Sequence, residues 1–100
     1  AAGQSDLDYV LVIHALLRLG QYSDAEAEAR RALAANPDRG DFYIDLSSAL
    51  VSQRKYSDAL EAVDRAGLVG ARPLDVLLQR ARFLGRQVVA AGHSRPTIAP

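Results

Sequence analysis

The tetrapeptide Tyr22-Ser23-Asp24-Ala25 returns as Tyr56-Ser57-Asp58-Ala59, 34 residues further on. Its flanks repeat with it: Ala29, Ala32 and Leu33 follow the first copy, and Ala62, Val63 and Ala66 take closely related places after the second. A period of this length with small residues held in phase implies a unit that stacks on copies of itself, because one such unit cannot bury its apolar face alone. Helical hairpins meet that demand, and no stretch of the chain shows the period-two alternation of a strand. The expected fold is therefore all-α, with five helices arranged as two antiparallel hairpins and a single closing helix.

Local signals place the helices. Ser5 with Asp8 has the spacing of a capping box, and Leu7–Leu19 is apolar nearly all round until Gly20 stops it. Ser23 with Glu26 repeats that spacing ahead of the alanine-rich stretch 25–35, where Glu26 and Arg30 form a four-residue pair on the exposed side. Asn36-Pro37 ends this second helix. Asp38 or Arg39 opens the third, which runs to about Gln53 with Tyr43, Ile44, Leu46, Ala49 and Leu50 at helical spacing. After a turn at Lys55, Ser57 caps a fourth helix whose Ala59, Leu60, Ala62, Val63 and Ala66 pack inward before Gly67 and Gly70 break it. Pro73 suits the first position of a fifth helix, Asp75 favours its dipole, and Leu77, Leu78, Ala81 and Leu84 carry it to about Ala91 with a bend near Gly85. Gly92 onward, with two prolines and no periodicity, reads as a loose tail that includes His93.

Composition narrows the function classes. A chain of 100 residues with 12 basic and 12 acidic side chains has no net charge that would select nucleic acid or an anionic membrane. The charge is nonetheless divided: residues 1–64 carry eleven acids and six bases, a net −5, and residues 65–100 carry six bases and one acid, a net +5. Such polarity orients a partner or a head-to-tail neighbour. The absence of cysteine excludes disulfides, thiolate metal sites and cysteine nucleophiles. Tyr9–Leu19, the longest apolar stretch, is interrupted by His14 and Arg18 and is too short to span a bilayer, so no membrane insertion is expected. With no methionine and a start at Ala1, the chain is expected to be a processed product or excised fragment. A cytoplasmic protein is the expectation; with the native N-terminus missing, a periplasmic or membrane-tethered parent stays open.

Over residues 6–73, and more weakly over 74–91, the chain resembles the tetratricopeptide repeats. Gly20, Tyr22, Ala25, Ala32 and Pro37 stand where the family has its turn glycine, turn aromatic, two small packing residues and closing proline. In the second unit Tyr43, Leu46, Ser47, Tyr56, Ala59 and Ala66 take the corresponding places. Three departures stand out. Ile13 occupies a site usually held by a very small residue, which implies a splayed first hairpin; Ala71 replaces the closing proline; and Arg80 stands where a large apolar residue is usual. The resemblance implies a short right-handed solenoid divided into a lead-in (1–5), two repeats (6–39 and 40–73), a partial third repeat or capping helix (74–91) and a tail (92–100).

It also implies a concave groove lined by the first helix of each repeat, and hence a protein or peptide partner. Helical spacing projects Leu7, Val10, Leu11, His14, Leu17 and Arg18 into that groove from the first helix. The third helix contributes Asp41, Ile44, Asp45, Ser48, Val51 and Ser52, and the fifth contributes Asp75, Leu78, Gln79, Arg82 and Arg86. In some members a clamp of Lys, Asn, Asn, Lys and Arg grips an acidic chain terminus. The matching positions here hold Val10, His14, Asp45, Asp75 and Gln79, which rules that clamp out. The apolar floor instead suits an amphipathic helix or an extended segment, as for a scaffold or a chaperone. Each buried floor residue contributes about 1.5–3 kcal/mol against an association cost of about 4–15 kcal/mol, so short peptides bind weakly.

Two alternatives accompany this reading. The all-round apolar first helix is equally explained by another repeat, or a second copy of the chain, meeting the repeat ends as a homo-oligomer. Residues 44–50 and 56–60 are similar to the central hairpin of the small bacterial type III secretion chaperones, which implies a chaperone for a helical subunit. Chemistry is not expected. His14 with Arg18, facing Asp41 and Asp45, forms no recognised catalytic or metal motif, so neither enzyme activity nor a metal or cofactor is anticipated. Arg80, Arg82 and Arg86 lack the aromatic platforms of a nucleic-acid surface, and no nucleic acid is expected as partner.

Overall fold

The computed structural model describes residues 5–92, with side chains as far as residue 85. Five helices occupy that span: α1 (Asp6–Arg18), α2 (Tyr22–Ala35), α3 (Gly40–Ser52), α4 (Tyr56–Leu68) and α5 (Pro73–Gly92). The tail read from Gly92 onward lies, beyond that residue, outside the described residues.

One hydrogen-bonded turn recurs after α1, α3 and α4. Gln21 N–H donates to the Leu16 carbonyl and Gly20 N–H to Leu17; Lys55 and Arg54 do the same toward Leu50 and Val51, and Ala71 and Gly70 toward Ala66 and Gly67. Each is the two-bond turn that closes a helix when one residue adopts the left-handed conformation. Gly20 takes it at φ 78°, and Arg54, its counterpart one repeat later, takes it at φ 63° despite its Cβ. These turns reverse the chain and bring α1 against α2, and α3 against α4.

The same turns explain two misread helix starts. Tyr22 and Tyr56 already lie inside α2 and α4, whose caps are Gln21 and Lys55 with no side-chain cap. Ser23 and Ser57 therefore cap nothing, whereas the Ser5–Asp8 box at α1 forms in both directions. Arg39, not Asp38, sits at the α3 cap. Gly67 does not interrupt α4, which continues through it to Leu68.

Each helix packs on the next, and α3 also packs on both α1 and α5, while the backbones of α2 and α4 stay further apart. α1, α3 and α5 thus form an inner layer with α3 in the middle, and the outer pair α2 and α4 stands further apart, which makes the α1/α3/α5 side the concave one. Close approach is permitted by Ala25, Ala29, Ala32, Ala59 and Ala66, all fully buried. Ile13 is also fully buried. Two edge-to-face aromatic pairs brace the stack: Tyr9 with Phe42 at 6.2 Å within the inner layer, and Tyr56 of α4 with Phe83 of α5 at 5.8 Å between the layers.

The α5 stripe reads differently in three dimensions. Leu77, Leu78 and Leu84 are more than half exposed, and Gln79 and Phe83 are the buried residues instead. Leu60 is also partly exposed rather than inward. Arg80 pairs with Asp64 of α4 beside an open cleft of about 410 Å³ lined by Tyr56, Ser57, Leu60, Phe83 and Leu84.

Glu26 does more than pair with Arg30. It accepts from Arg30 at 3.0 Å, from Gln53 at 2.9 Å and from Lys55 at 3.1 Å, tying α2 to the α3–α4 turn. Partial burial pushes its carboxyl up, but the three donors outweigh that and hold it below the ordinary glutamate value. A lowered acid stabilises the fold above its unfolded-state pKa, and the benefit disappears as pH falls through the folded-state value. Glu26→Gln is expected to lose about 1–2 kcal/mol at neutral pH in urea denaturation. The gap to the parent should narrow as pH falls below the ordinary glutamate value of about 4.3.

Candidate partner-binding groove

The inner helices run in the same direction and are bonded across the groove at several levels. At the N-terminal end, Arg39 reaches back to Asp6 of α1 at 2.7 Å, grips Asp41 with two nitrogens at 2.9 and 2.6 Å, and stacks 4.7 Å above the Phe42 ring. Asn36 adds a bond to the same Asp6 carboxylate at 3.2 Å. The Asp41 bond holds the Arg39 guanidinium well above its ordinary pKa, and in return Arg39 holds the Asp41 carboxyl below its own.

One level further along, His14 Nε2 lies 3.1 Å from Asp45 Oδ1. An ionised carboxylate can only accept, so the Nε2–H tautomer is the one that faces it. Desolvation pushes the Asp45 carboxyl up, and the opposing attraction of His14 does not cancel it. A further turn along α3, Ser48 accepts a hydrogen bond from Gln79 of α5 at 2.8 Å and donates to the Ile44 carbonyl at 3.2 Å. His14–Asp45 and Ser48–Gln79 together fasten α1 and α5 to α3.

Between these ties the floor is apolar. Leu7, Leu11 and Leu78 are 66%, 60% and 51% exposed, and Val10, Leu17 and Ile44 are half-buried beside them. Two projected lining residues are enclosed. Val51 is buried in the core, and Gln79 is buried while bonded to Ser48, which makes it a strut between helices. Ser52 and Asp75 are half-buried, and Asp75 is held by Arg72 at 3.0 Å. Arg18 and Arg82 are exposed. Arg86 lies within α5, with its side chain outside the described set. Among the described residues no three ligating side chains gather as for a metal ion, and no helix is long and apolar enough to cross a membrane.

Arg39 is the residue that sequence reasoning passed over. Its position between Pro37 and Asp41 marks it as a cap neighbour, but nothing along the chain announces its reach to Asp6.

Residues 13–75 match the family model described as tetratricopeptide repeat. The chain belongs to the tetratricopeptide repeat family. That match covers α2, α3 and α4 together with parts of α1 and α5, the region in which the duplicated tetrapeptide and the hairpin turns fall. No curated protein and no solved structure matches the chain. Tetratricopeptide repeats are protein-interaction modules, typically without catalysis of their own.

Proposed function

We propose that this tetratricopeptide repeat chain captures an apolar helical or extended protein segment in its concave groove and acts as a scaffold or assembly chaperone. The observation that carries the reading is the coexistence of exposed Leu7, Leu11 and Leu78 with the cross-groove bonds His14–Asp45 and Ser48–Gln79. A floor already held in place binds with less ordering cost than one assembled on contact. In this reading residues 6–39 and 40–73 are the two repeats, and 74–91 closes the stack as a capping helix or a partial third repeat.

Leu11 and Leu78 are the decisive probes, because both are more than half exposed and neither belongs to the core. Leu11→Asp with Leu78→Asp is expected to weaken binding of a leucine-rich amphipathic helical peptide at least tenfold, about 1.4 kcal/mol, with the circular dichroism of the parent retained. Undiminished affinity in that folded double variant would reject the groove reading.

A second reading is favoured by the outer side of α5, where Leu74, Leu77 and Leu84 are each more than half exposed at the end of the stack. Such a surface suits a neighbouring repeat or a second copy of the chain. Light scattering at rising concentration decides it: a mass that stays monomeric removes self-assembly, and a growing mass that Leu77→Asp abolishes supports it.

A further inference from the structure

We infer that the segment held in the groove carries acidic side chains at one end, where Arg18 and Arg82 meet them. The inference rests on the groove reading above and adds to it the chemistry and polarity of the partner.

Sequence alone suggests a groove with acids on one rim and arginines on the other. In the structure each of those acids is engaged by a neighbouring side chain. Asp41 is gripped by Arg39 at 2.6 Å, Asp75 by Arg72 at 3.0 Å, and Asp45 by His14 at 3.1 Å. Among the described residues neither Arg18 nor Arg82 has any such partner, although Arg39, Arg72 and Arg80 each have one. The uncommitted cations of the groove therefore lie together at the Arg18–Arg82 end, away from the Asp6, Asp41 and Arg39 cluster. Among the described residues, acids with no ion pair lie elsewhere: Asp24 of α2, Asp58 and Glu61 of α4, and, toward the opposite end of the inner layer from Arg18 and Arg82, Asp8 near the start of α1 and Asp38 before α3.

Position strengthens the point. Arg18 stands four residues after His14 and so shares the face on which His14 meets Asp45. Arg82 stands three residues after Gln79 and shares the face on which Gln79 meets Ser48. Since Asp45 and Ser48 are one turn apart on α3, the two arginines flank the same stretch of that helix, past Ser48 toward Ser52. Leu7 and Leu11 lie toward the opposite end of the inner layer, at the level of the Arg39–Asp6 and Tyr9–Phe42 contacts. The helix dipole offers a separate reason for a cation at Arg18, in the last turn of α1, but none for Arg82 in the interior of α5. A ligand lying along the groove thus meets leucines first and two uncommitted guanidinium groups at its far end. An apolar segment ending in glutamates or aspartates complements that order.

Two amphipathic helical peptides test it, identical in their leucine face and differing only in a last turn of glutamates or of lysines. The full chain is expected to bind the glutamate peptide about five- to tenfold tighter at low ionic strength, consistent with two exposed ion pairs. Raising salt to about 1 M, where the screening length is about 3 Å, should remove the difference. In the double variant Arg18→Glu, Arg82→Glu, checked for parental helicity, the lysine peptide should become the tighter ligand. A nitroxide on the acidic end should broaden the amides of residues 18, 52 and 82 rather than those of residues 7 and 41. Equal affinity for the two peptides, preference for lysine in the parent, or broadening at residues 7 and 41 would overturn the inference while leaving apolar capture standing. Failure of both peptides to bind would instead overturn the groove reading, and this inference with it.

Discussion

Phe42→Ala is expected to destabilise the chain by about 3–5 kcal/mol, the range for deleting a fully buried aromatic side chain. Phe42 has no exposed surface, meets Tyr9 of α1 edge to face, and lies under the Arg39 guanidinium. Its removal leaves a cavity where α1, α3 and the α2–α3 connection converge, and it releases Arg39 from one of its supports. For a domain of this size, whose total stability is about 5–15 kcal/mol, that loss is a large share of the whole. Thermal melting followed by circular dichroism should show a midpoint lower by roughly 12 °C or more. A shift of only a few degrees would mean that Phe42 is not the centre of the inner layer.

Gly40→Ala is the second large effect. A Cβ at this first residue of α3 would lie 2.8 Å from the Cβ and the backbone nitrogen of Ala71 and 2.9 Å from its Cα. Two of those three atoms are main chain, so the strain cannot be relieved by rotating a side chain. Elsewhere in a helix, glycine to alanine gains about 1 kcal/mol of propensity. Here overpacking of about 1–3 kcal/mol should exceed that gain and lower the melting midpoint. Gly67→Ala is the matched control, because a Cβ there meets nothing within 4 Å. It is expected to raise stability. If both substitutions stabilise alike, the close approach of α3 to the α4–α5 connection is not a feature of the fold.

The contrast between what sequence revealed and what it hid follows the range of the forces involved. Gly20, Asn36-Pro37 and Pro73 mark the ends of elements through local backbone geometry, and the helices break where they say. The caps of α2 and α4 were misjudged because the preceding turn, closed by the Gln21 and Lys55 amides, already delivers the chain into helix. The inner side of α5 was hidden for a different reason. Its leucines form a convincing apolar stripe, yet α3 and α4 meet the helix on the side of Gln79 and Phe83. Periodicity reveals that a stripe exists, not which side its neighbours will cover.

The groove shows the same division. Helical spacing placed His14, Asp45, Ser48 and Arg82 on the inner faces. It carried no information on which pairs would meet across helices. The reach of Arg39 to Asp6 and of His14 to Asp45 depends on interhelical register and is visible only in three dimensions.

Amide chemical-shift mapping of the labelled chain during titration with a leucine-rich amphipathic peptide tests capture in the groove most directly. Perturbations are expected to cluster on the inner faces of α1, α3 and α5, around Leu11, Ser48 and Leu78, with the exposed faces of α2 and α4 silent. Perturbations confined to α2 and α4, or to the outer leucines of α5, would contradict it.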